Sequence, residues 1–205
     1  MKKILAVILA LFMAFPLFAS DEAAVKKMVD NFFTCLVNMD GSGLMKLLHP
    51  DFTDEDEEGK TSYSEMQVMC GELDDMRRVM ERALVPGASL LDVMTAVFAI
   101  DGEKLDDETR RMIKEAENTE EGKKLRDESV AAIKEMKKIA RQEVTHEQQT
   151  LKINSLKING QNAKLAFTVM VDEKCEYNYW DLTKVDGKWL IKKSRSTSKA
   201  DAEAE

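Results

Sequence analysis

Residues 163–171 read AKLAFTVMV, with an apolar side chain at every second position. This period of two is typical of a β-strand that buries one of its faces. The same alternation recurs in three further segments, which are 150–158, 175–185 and 188–194. Two turn-forming dipeptides, Asn159-Gly160 and Asp186-Gly187, lie between neighbouring segments. The C-terminal part of the chain is therefore predicted to form a four-stranded antiparallel sheet.

Short turns determine the register of this sheet. We expect two-residue turns at 173–174 and 186–187 and a three-residue turn at 159–161. The predicted partners are Leu182 with Ile191, Lys184 with Trp189, Val171 with Glu176, Val169 with Asn178, Phe167 with Trp180, Leu151 with Val169 and Ile153 with Phe167. These pairs place one set of apolar side chains on a single face: Leu151, Ile153, Leu165, Phe167, Val169, Trp180, Leu182, Trp189 and Ile191. A slip of one residue in any hairpin would break this agreement.

Amphipathic helices precede the sheet and are predicted to cover its apolar face. The first begins near Asp21 and repeats apolar residues at helical spacing as far as Leu36. Ser42 is expected to cap a short second helix carrying Leu44, Leu47 and Leu48, which Pro50 ends. Ser62 and Glu65 have the spacing of a capping box and are predicted to open a third helix.

Further helices are predicted over 88–100, 106–117 and 119–144. The last carries an apolar stripe from Leu125 through Ile133, Met136 and Ile139 to Ala140. Because such a stripe is stabilised by burial, we expect it to pack onto its own domain. A lid or a projecting docking arm is the alternative.

The order of these parts resembles the nuclear-transport-factor-2-like superfamily, which includes SnoaL-like polyketide cyclases and ketosteroid isomerase. The motifs that carry the resemblance are Phe32-Phe33, Asp40-Gly41, LLHPDF at 47–52, Ile158-Asn159-Gly160 and DGKWLI at 186–191. The chain looks closest to small secreted bacterial members of unknown function. The resemblance implies an α+β fold in which a cone-shaped curved antiparallel sheet packs on N-terminal helices. One such domain would span 21–197, with a helical insertion at about 86–144.

Glu176 and Asn178 are the polar residues that the predicted register places on the apolar face. A carboxylate in that setting suits general acid–base chemistry. The resemblance implies a pocket at the open end of the cone, with Phe32, Phe167, Val169, Glu176, Asn178 and Trp180 as its predicted lining. Ketosteroid-isomerase-like members also use a tyrosine of the first helix, and this chain has phenylalanine there. The alternative is that the strand end is open to water and Glu176 is simply solvated.

An acidic loop gives a second candidate site. Asp54, Asp56, Glu58 and Glu65, with Gly59 and Ser62, match the spacing of a calcium-binding loop. Pro50 interrupts the entering helix, and no second loop of this kind follows. The alternative is an acidic hairpin that leads into a capped helix.

Composition limits the other functions. The net charge of −8 disfavours nucleic-acid binding. Residues 1–20 have a positive start, an apolar run and a cleavage signal near Ala19/Ser20, so we expect a signal peptide and a secreted or periplasmic protein. The run is shorter than the ~20 residues of a membrane span, and a retained anchor is the alternative. Residues 198–205 are predicted to be a disordered tail.

No sequence motif indicates a catalytic site, and we expect no cofactor. The leading hypothesis is a non-enzymatic module that binds a small apolar or amphipathic molecule or a protein partner. The first alternative is an isomerase, cyclase or dehydratase that uses Glu176, and the second is a calcium-binding envelope protein. The resemblance also implies a homodimer through the non-core face of the sheet, which carries Tyr177, Tyr179 and Leu190. The sequence does not choose a pair among Cys35, Cys70 and Cys175 for a disulfide.

Overall fold

The computed structural model describes residues 21–56, 59–100 and 102–198. The predicted signal peptide and residues 199–205 of the predicted tail lie outside these ranges. The helices are α1 (21–37), α2 (Gly41–Met45), α3 (Tyr63–Ala83), α4 (Leu90–Ile100), α5 (Asp107–Ala116) and α6 (Glu120–Thr150). The strands are β1 (Leu48–Glu55), β2 (Lys60–Ser62), β3 (Lys152–Asn159), β4 (Asn162–Val171), β5 (Lys174–Val185) and β6 (Lys188–Thr197).

One six-stranded sheet runs in the order β2-β1-β6-β5-β4-β3, and only the β1–β6 pair is parallel. Its core face packs against α1 through one buried cluster that includes Val25, Val29, Phe167, Trp180 and Ile191. The carboxylate of Asp21 at the start of α1 accepts hydrogen bonds from Lys184 Nζ and Trp189 Nε1. These contacts hold the first helix inside the curve of the sheet. The predicted cone-shaped α+β fold is confirmed.

The β4–β5 hairpin turns one residue earlier than predicted. Asp172 and Glu173 form the turn with φ of 48° and 64°, and Val169 pairs with Glu176 where Asn178 was predicted. The predicted partners across this hairpin are therefore wrong by two residues. Because a shift of two preserves the side-chain period, Glu176 and Asn178 still belong to the core face.

A bulge in β3 changes which residues of that strand are buried. Ile153 pairs with Phe167 as predicted, but Ser155 pairs with Ala166, so the register shifts at Asn154. The turn that follows is then two residues long, with Asn159 paired to Asn162. The extra residue turns Leu156 and Ile158 toward the core, where they pack beside Ile153. A strictly alternating strand would have placed them on the opposite face.

The second helix differs from its prediction at both of its ends. Asp40 caps α2 by accepting from the backbone N–H of Gly43, and Ser42 lies inside the helix. Leu48 begins strand β1, which continues through Pro50. Proline fits there because β2 pairs with β1 only from Thr53 onward, so the earlier part of β1 is a sheet edge. The predicted capping box of Ser62 and Glu65 is present at the start of α3.

The helical insertion has small cores of its own. Met80, Val93 and Ile133 belong to a cluster shared by α3, α4 and α6, and Leu90 and Ile113 belong to a cluster shared by α4 and α5. Of the stripe predicted on α6, only Ile133 is buried, whereas Met136 and Ile139 are each 45% exposed. The expectation that the whole stripe packs onto its own domain is therefore wrong. The apolar side chains in the middle of α6 are exposed to solvent, whereas residues on both sides of them pack against the domain.

Among the described helices, none combines the length and the apolar character that crossing a membrane requires. The three thiols are unpaired, with Cys70 buried, Cys35 half-buried and Cys175 exposed. Burial raises the pKa of Cys70, and the neighbouring Asp74 and Cys35 raise it further. Cys35 and Cys70 are therefore neighbours at the junction of α1 and α3, and Cys175 lies apart in β5.

Candidate functional site

A cavity of about 190 Å³ lies between α1, the C-terminal end of α6 and the core face of the sheet. Its lining residues come from α1, β1, α6, β4, β5 and β6: Phe32, Phe33, Leu36, Asp54, Glu147, Phe167, Val169, Val171, Glu176, Asn178, Trp180, Ser194 and Ser196. All six residues predicted from the sequence as the pocket lining are in this set.

Aromatic rings form the floor of the cavity. Trp180 is 3% exposed and meets two rings edge-on, Phe32 at 5.0 Å and Phe167 at 4.9 Å between ring centroids. Phe33 meets Phe32 at 5.7 Å in a further edge-on contact. Edge-to-face packing joins the positive edge of one ring to the negative face of another. The floor of the cavity is therefore apolar and aromatic.

Polar side chains border this floor, and all of them are half-buried. Glu176 and Asn178 come from β5, where their register partners are Val169 and Phe167. Ser194 and Ser196 of β6 lie opposite Trp180 and Asn178, because a bulge at Lys192 shifts the register of that hairpin. Asp54 reaches the cavity from β1 and Glu147 from α6. The border thus combines carboxylates, an amide and hydroxyls from four elements.

Sequence reasoning missed Glu147 because the long helix was ended at Val144. The helix continues to Thr150, so Glu147 lies one turn beyond the predicted end and lines the cavity. The signal was present in the segment 145–149, which has no Gly or Pro to stop a helix. Asp54 was assigned to the calcium loop and not to the pocket.

Burial raises the pKa of Glu147, and the nearby Glu176 carboxylate raises it further. Glu143 and Asp172 act in the same direction, and His146 acts against them. Within the described chain, none of the side chains of Asp54, Glu147 and Glu176 forms a salt bridge or a hydrogen bond. The cavity therefore gathers negative charge that the described residues do not compensate.

Replacing Glu147 with Gln is expected to raise the melting temperature at about pH 8 and to leave it unchanged at about pH 4. The raised pKa means that folding disfavours the ionised form. The resulting loss of stability is absent below the ordinary carboxyl pKa and grows as the pH rises through the folded value. Glu128→Gln, an exposed change on α6 that is remote from the cavity, is the control. Equal melting temperatures for Glu147→Gln and wild type at about pH 8 would show that ionised Glu147 does not destabilise the folded protein.

The residues of the proposed calcium loop serve separate roles. Asp54 lines the cone cavity, Asp56 accepts from the N–H of Gly59 in the β1–β2 turn at 2.9 Å, and Glu65 closes the capping box of α3. Hydrogen bonds from Ser62 lower the pKa of Glu65. Glu58 lies outside the described residues. Among those described, no group of three acidic, His or Cys side chains gathers in a way that would hold a metal ion.

Millimolar calcium is accordingly expected to leave the melting temperature unchanged. A ligand that binds only the folded state raises the melting temperature once its concentration exceeds its dissociation constant. Differential scanning calorimetry with calcium and with chelator makes the comparison. A rise with calcium that Asp56→Asn abolishes would restore the calcium alternative.

A second, larger cavity of about 420 Å³ lies on the outer face of the sheet. Its lining includes four cationic side chains, Lys157, Lys164, Lys193 and Arg195, and the Arg195 guanidinium stacks 4.9 Å above the ring of Tyr179. The homodimer that the resemblance implies stays a prediction.

Comparison with known proteins gave structural likeness only. No protein-family model matches the chain, and no curated protein matches it. A nuclear-transport-factor-2-like protein of unknown function from Silicibacter pomeroyi is 11% identical, with 88% of this chain and 97% of that chain covered and a TM-score of 0.43. One with a cystatin-like fold from Novosphingobium aromaticivorans is 8% identical, with 94% and 92% covered and a TM-score of 0.45.

The packing of a curved sheet on α1 is the arrangement that the sequence resemblance to the nuclear-transport-factor-2-like superfamily implied. The order of all six strands in the sheet was not predicted from the sequence. A de novo designed protein with a curved β-sheet is also similar, at 12% identity, with 87% and 98% covered and a TM-score of 0.39. In the cone described here, α6 adds one wall of the cavity through Glu147.

Proposed function

We propose that this chain is a secreted or periplasmic binding protein that holds one small amphipathic molecule in its cone. The observation that carries the proposal is the cavity itself. It has an aromatic floor and a border of polar side chains for which the described residues provide no hydrogen-bond or salt-bridge partner. Half-buried carboxylates without partners are unfavourable for folding, so a ligand that satisfies them gives a reason for their position. The signal peptide predicted at 1–20 supports export.

The volume of the cavity limits the size of the molecule. An apolar protein cavity of about 150 Å³ binds benzene. The 190 Å³ found here therefore suits a molecule with one ring and a short polar arm. Larger molecules, such as those with several fused rings, would require the cone to open.

Native mass spectrometry of protein purified from its own host tests this proposal. We expect a fraction of the protein to carry one small molecule, and the mass difference would identify it. The matched control is Ser196→Phe, which places a ring into the cavity from its half-buried border without removing a buried side chain. Ligand-observed NMR with a set of charged and neutral one-ring compounds is the second measurement. A mass without adduct together with no binding in NMR would overturn the proposal.

A second candidate function is proton transfer of the isomerase or dehydratase type. It is favoured by one observation, the raised pKa of Glu147 next to Glu176 in an aromatic cavity. A carboxyl group with a raised pKa can serve as the proton donor, and a second carboxylate beside it can serve as the proton acceptor. In this candidate Glu147 donates, Glu176 accepts a proton from the ligand, and Asn178 orients the ligand.

Deuterium exchange separates this second candidate from simple binding. The bound molecule is incubated with the protein in D₂O and then analysed by mass spectrometry. Proton abstraction would introduce deuterium at carbon, and Glu176→Gln would abolish the uptake. A molecule that keeps all of its carbon-bound hydrogens would leave binding as the function and remove the enzyme.

A further inference from the structure

The walls of the cone cavity select the charge of its occupant, an inference that rests on the binding function proposed above. Carboxylates reach the cavity from three separate elements, Asp54 from β1, Glu147 from α6 and Glu176 from β5. The cavity has no Lys or Arg in its lining. The described part of the chain also provides no salt-bridge partner for these three carboxylates.

We propose that the cone cavity binds a small organic cation, an ammonium group carried on a single aromatic or apolar ring. The aromatic floor supports the same choice independently of the carboxylates. Phe32, Phe167 and Trp180 line the cavity, Phe32 is the half-buried ring among them, and an ammonium group is attracted to the negative face of such a ring.

The border and the floor assign separate roles to the two parts of this ligand. The ring would lie against Phe32, the half-buried ring that packs on Trp180, where burial of apolar surface provides most of the affinity. The ammonium group would lie at the border, within reach of Glu147 and Glu176. Asn178 Oδ1 and the hydroxyls of Ser194 and Ser196 can accept the remaining N–H donors.

Other occupants fit the walls less well. An anion of the same size would meet three carboxylates and no basic lining residue. A bare metal ion would need its ligands around one point, and the described residues contain no such group of three. A neutral molecule would leave the carboxylates uncompensated in a partly desolvated space.

Binding of a cation to this cavity is coupled to protonation. Burial first and Glu176 second raise the pKa of Glu147, with Glu143 and Asp172 adding to the rise and His146 opposing it. Asp54 also faces the cavity. A cation favours the ionised carboxylate, so its affinity should increase as the pH rises through this pKa. Below the pKa, binding should release a proton from Glu147.

Isothermal titration of the full mature chain with three matched probes tests the inference. The probes are phenethylamine, the neutral phenethyl alcohol and the anionic 3-phenylpropionate. We expect the amine to bind at least about tenfold more tightly than the alcohol, since the ammonium gains charge-assisted contacts. Equal affinity for amine and alcohol would overturn this inference and leave the proposed binding function intact. No binding of any probe would count against both.

Variants and buffers identify the residues responsible. Glu147→Gln and Glu176→Gln should each weaken amine binding by about tenfold while alcohol binding changes little. Glu128→Gln is the control, because that side chain is exposed on α6, does not line the cavity and is not among the groups that shift the pKa of Glu147. Titration in two buffers of different ionisation enthalpy should reveal proton release in wild type and none in Glu147→Gln. Proton release that persists in Glu147→Gln would overturn the assignment to this residue.

Discussion

Gly41→Ala is expected to lower the free energy of unfolding by about 3 kcal/mol or more. A Cβ at this position would lie 1.9 Å from the carbonyl oxygen of Cys70 in α3 and 2.6 Å from its carbonyl carbon. These are backbone atoms of a long helix, so no side chain can rotate away to make room. The backbone N–H groups of Gly41 and Ser42 also donate to the Asp74 carboxylate at 3.0 and 2.9 Å. Moving α2 would lose both hydrogen bonds.

Urea unfolding followed by circular dichroism measures this effect, which corresponds to roughly 10 °C in melting temperature. The matched control is Gly71→Ala, in the residue that follows Cys70. Gly71 is exposed within α3, and a Cβ there meets no atom within 4 Å. Alanine in a helix interior is favoured over glycine by about 1 kcal/mol, so this control should stabilise the protein. Effects of the same sign in both variants would contradict the close packing of α2 on α3.

Trp180→Ala is expected to lower the free energy of unfolding by about 3–5 kcal/mol. The ring is 3% exposed and is the centre of the aromatic floor, since both Phe32 and Phe167 pack edge-on against it. Its removal would leave a void that these two rings cannot fill without leaving their own contacts. The same change would remove the ring that supports Phe32 at the floor of the cavity, where the proposed ligand lies.

The control for this change is Tyr179→Ala, the neighbouring aromatic residue of β5. Tyr179 is half-buried on the outer face, where Arg195 stacks on its ring. We expect a smaller loss for Tyr179→Ala, about 1–2 kcal/mol, and unchanged binding of a one-ring ligand. Denaturant unfolding and ligand titration are compared for both variants. A Trp180→Ala protein as stable as Tyr179→Ala would show that the floor is not part of the core.

The sequence was sufficient to predict which face of the sheet is buried. Leu165, Trp180 and Ile191 were assigned to the core face from their period of two, and each is at most 3% exposed. The partner assignments failed where turn chemistry was ambiguous. Glu173-Lys174 and Asp172-Glu173 are both polar dipeptides without glycine, and nothing in either marks the positive φ that the real turn adopts.

Bulges are the other feature that the pattern could not reveal. Asn154 and Lys192 are ordinary polar residues in strands, so an extra residue at either site looks like a continued alternation. The bulge at Lys192 affects the cavity, since it turns Ser194 and Ser196 inward. The lining of the candidate site was therefore predictable from β4 and most of β5, and not from β6 or α6.

The helix α6 belongs to two cores at once. Ile133 is buried among α3 and α4, and Glu147 borders the cone cavity about 21 Å further along the helix axis. Since a continuous helix is stiff over this length, a tilt of the inserted helices moves the Glu147 carboxylate relative to the floor. Sequence changes far from the cone can in this way widen or narrow its entrance. Substitutions in the distant contacts of α6 with α3 and α4 can thus change which molecule the cavity binds while every residue of the floor stays the same.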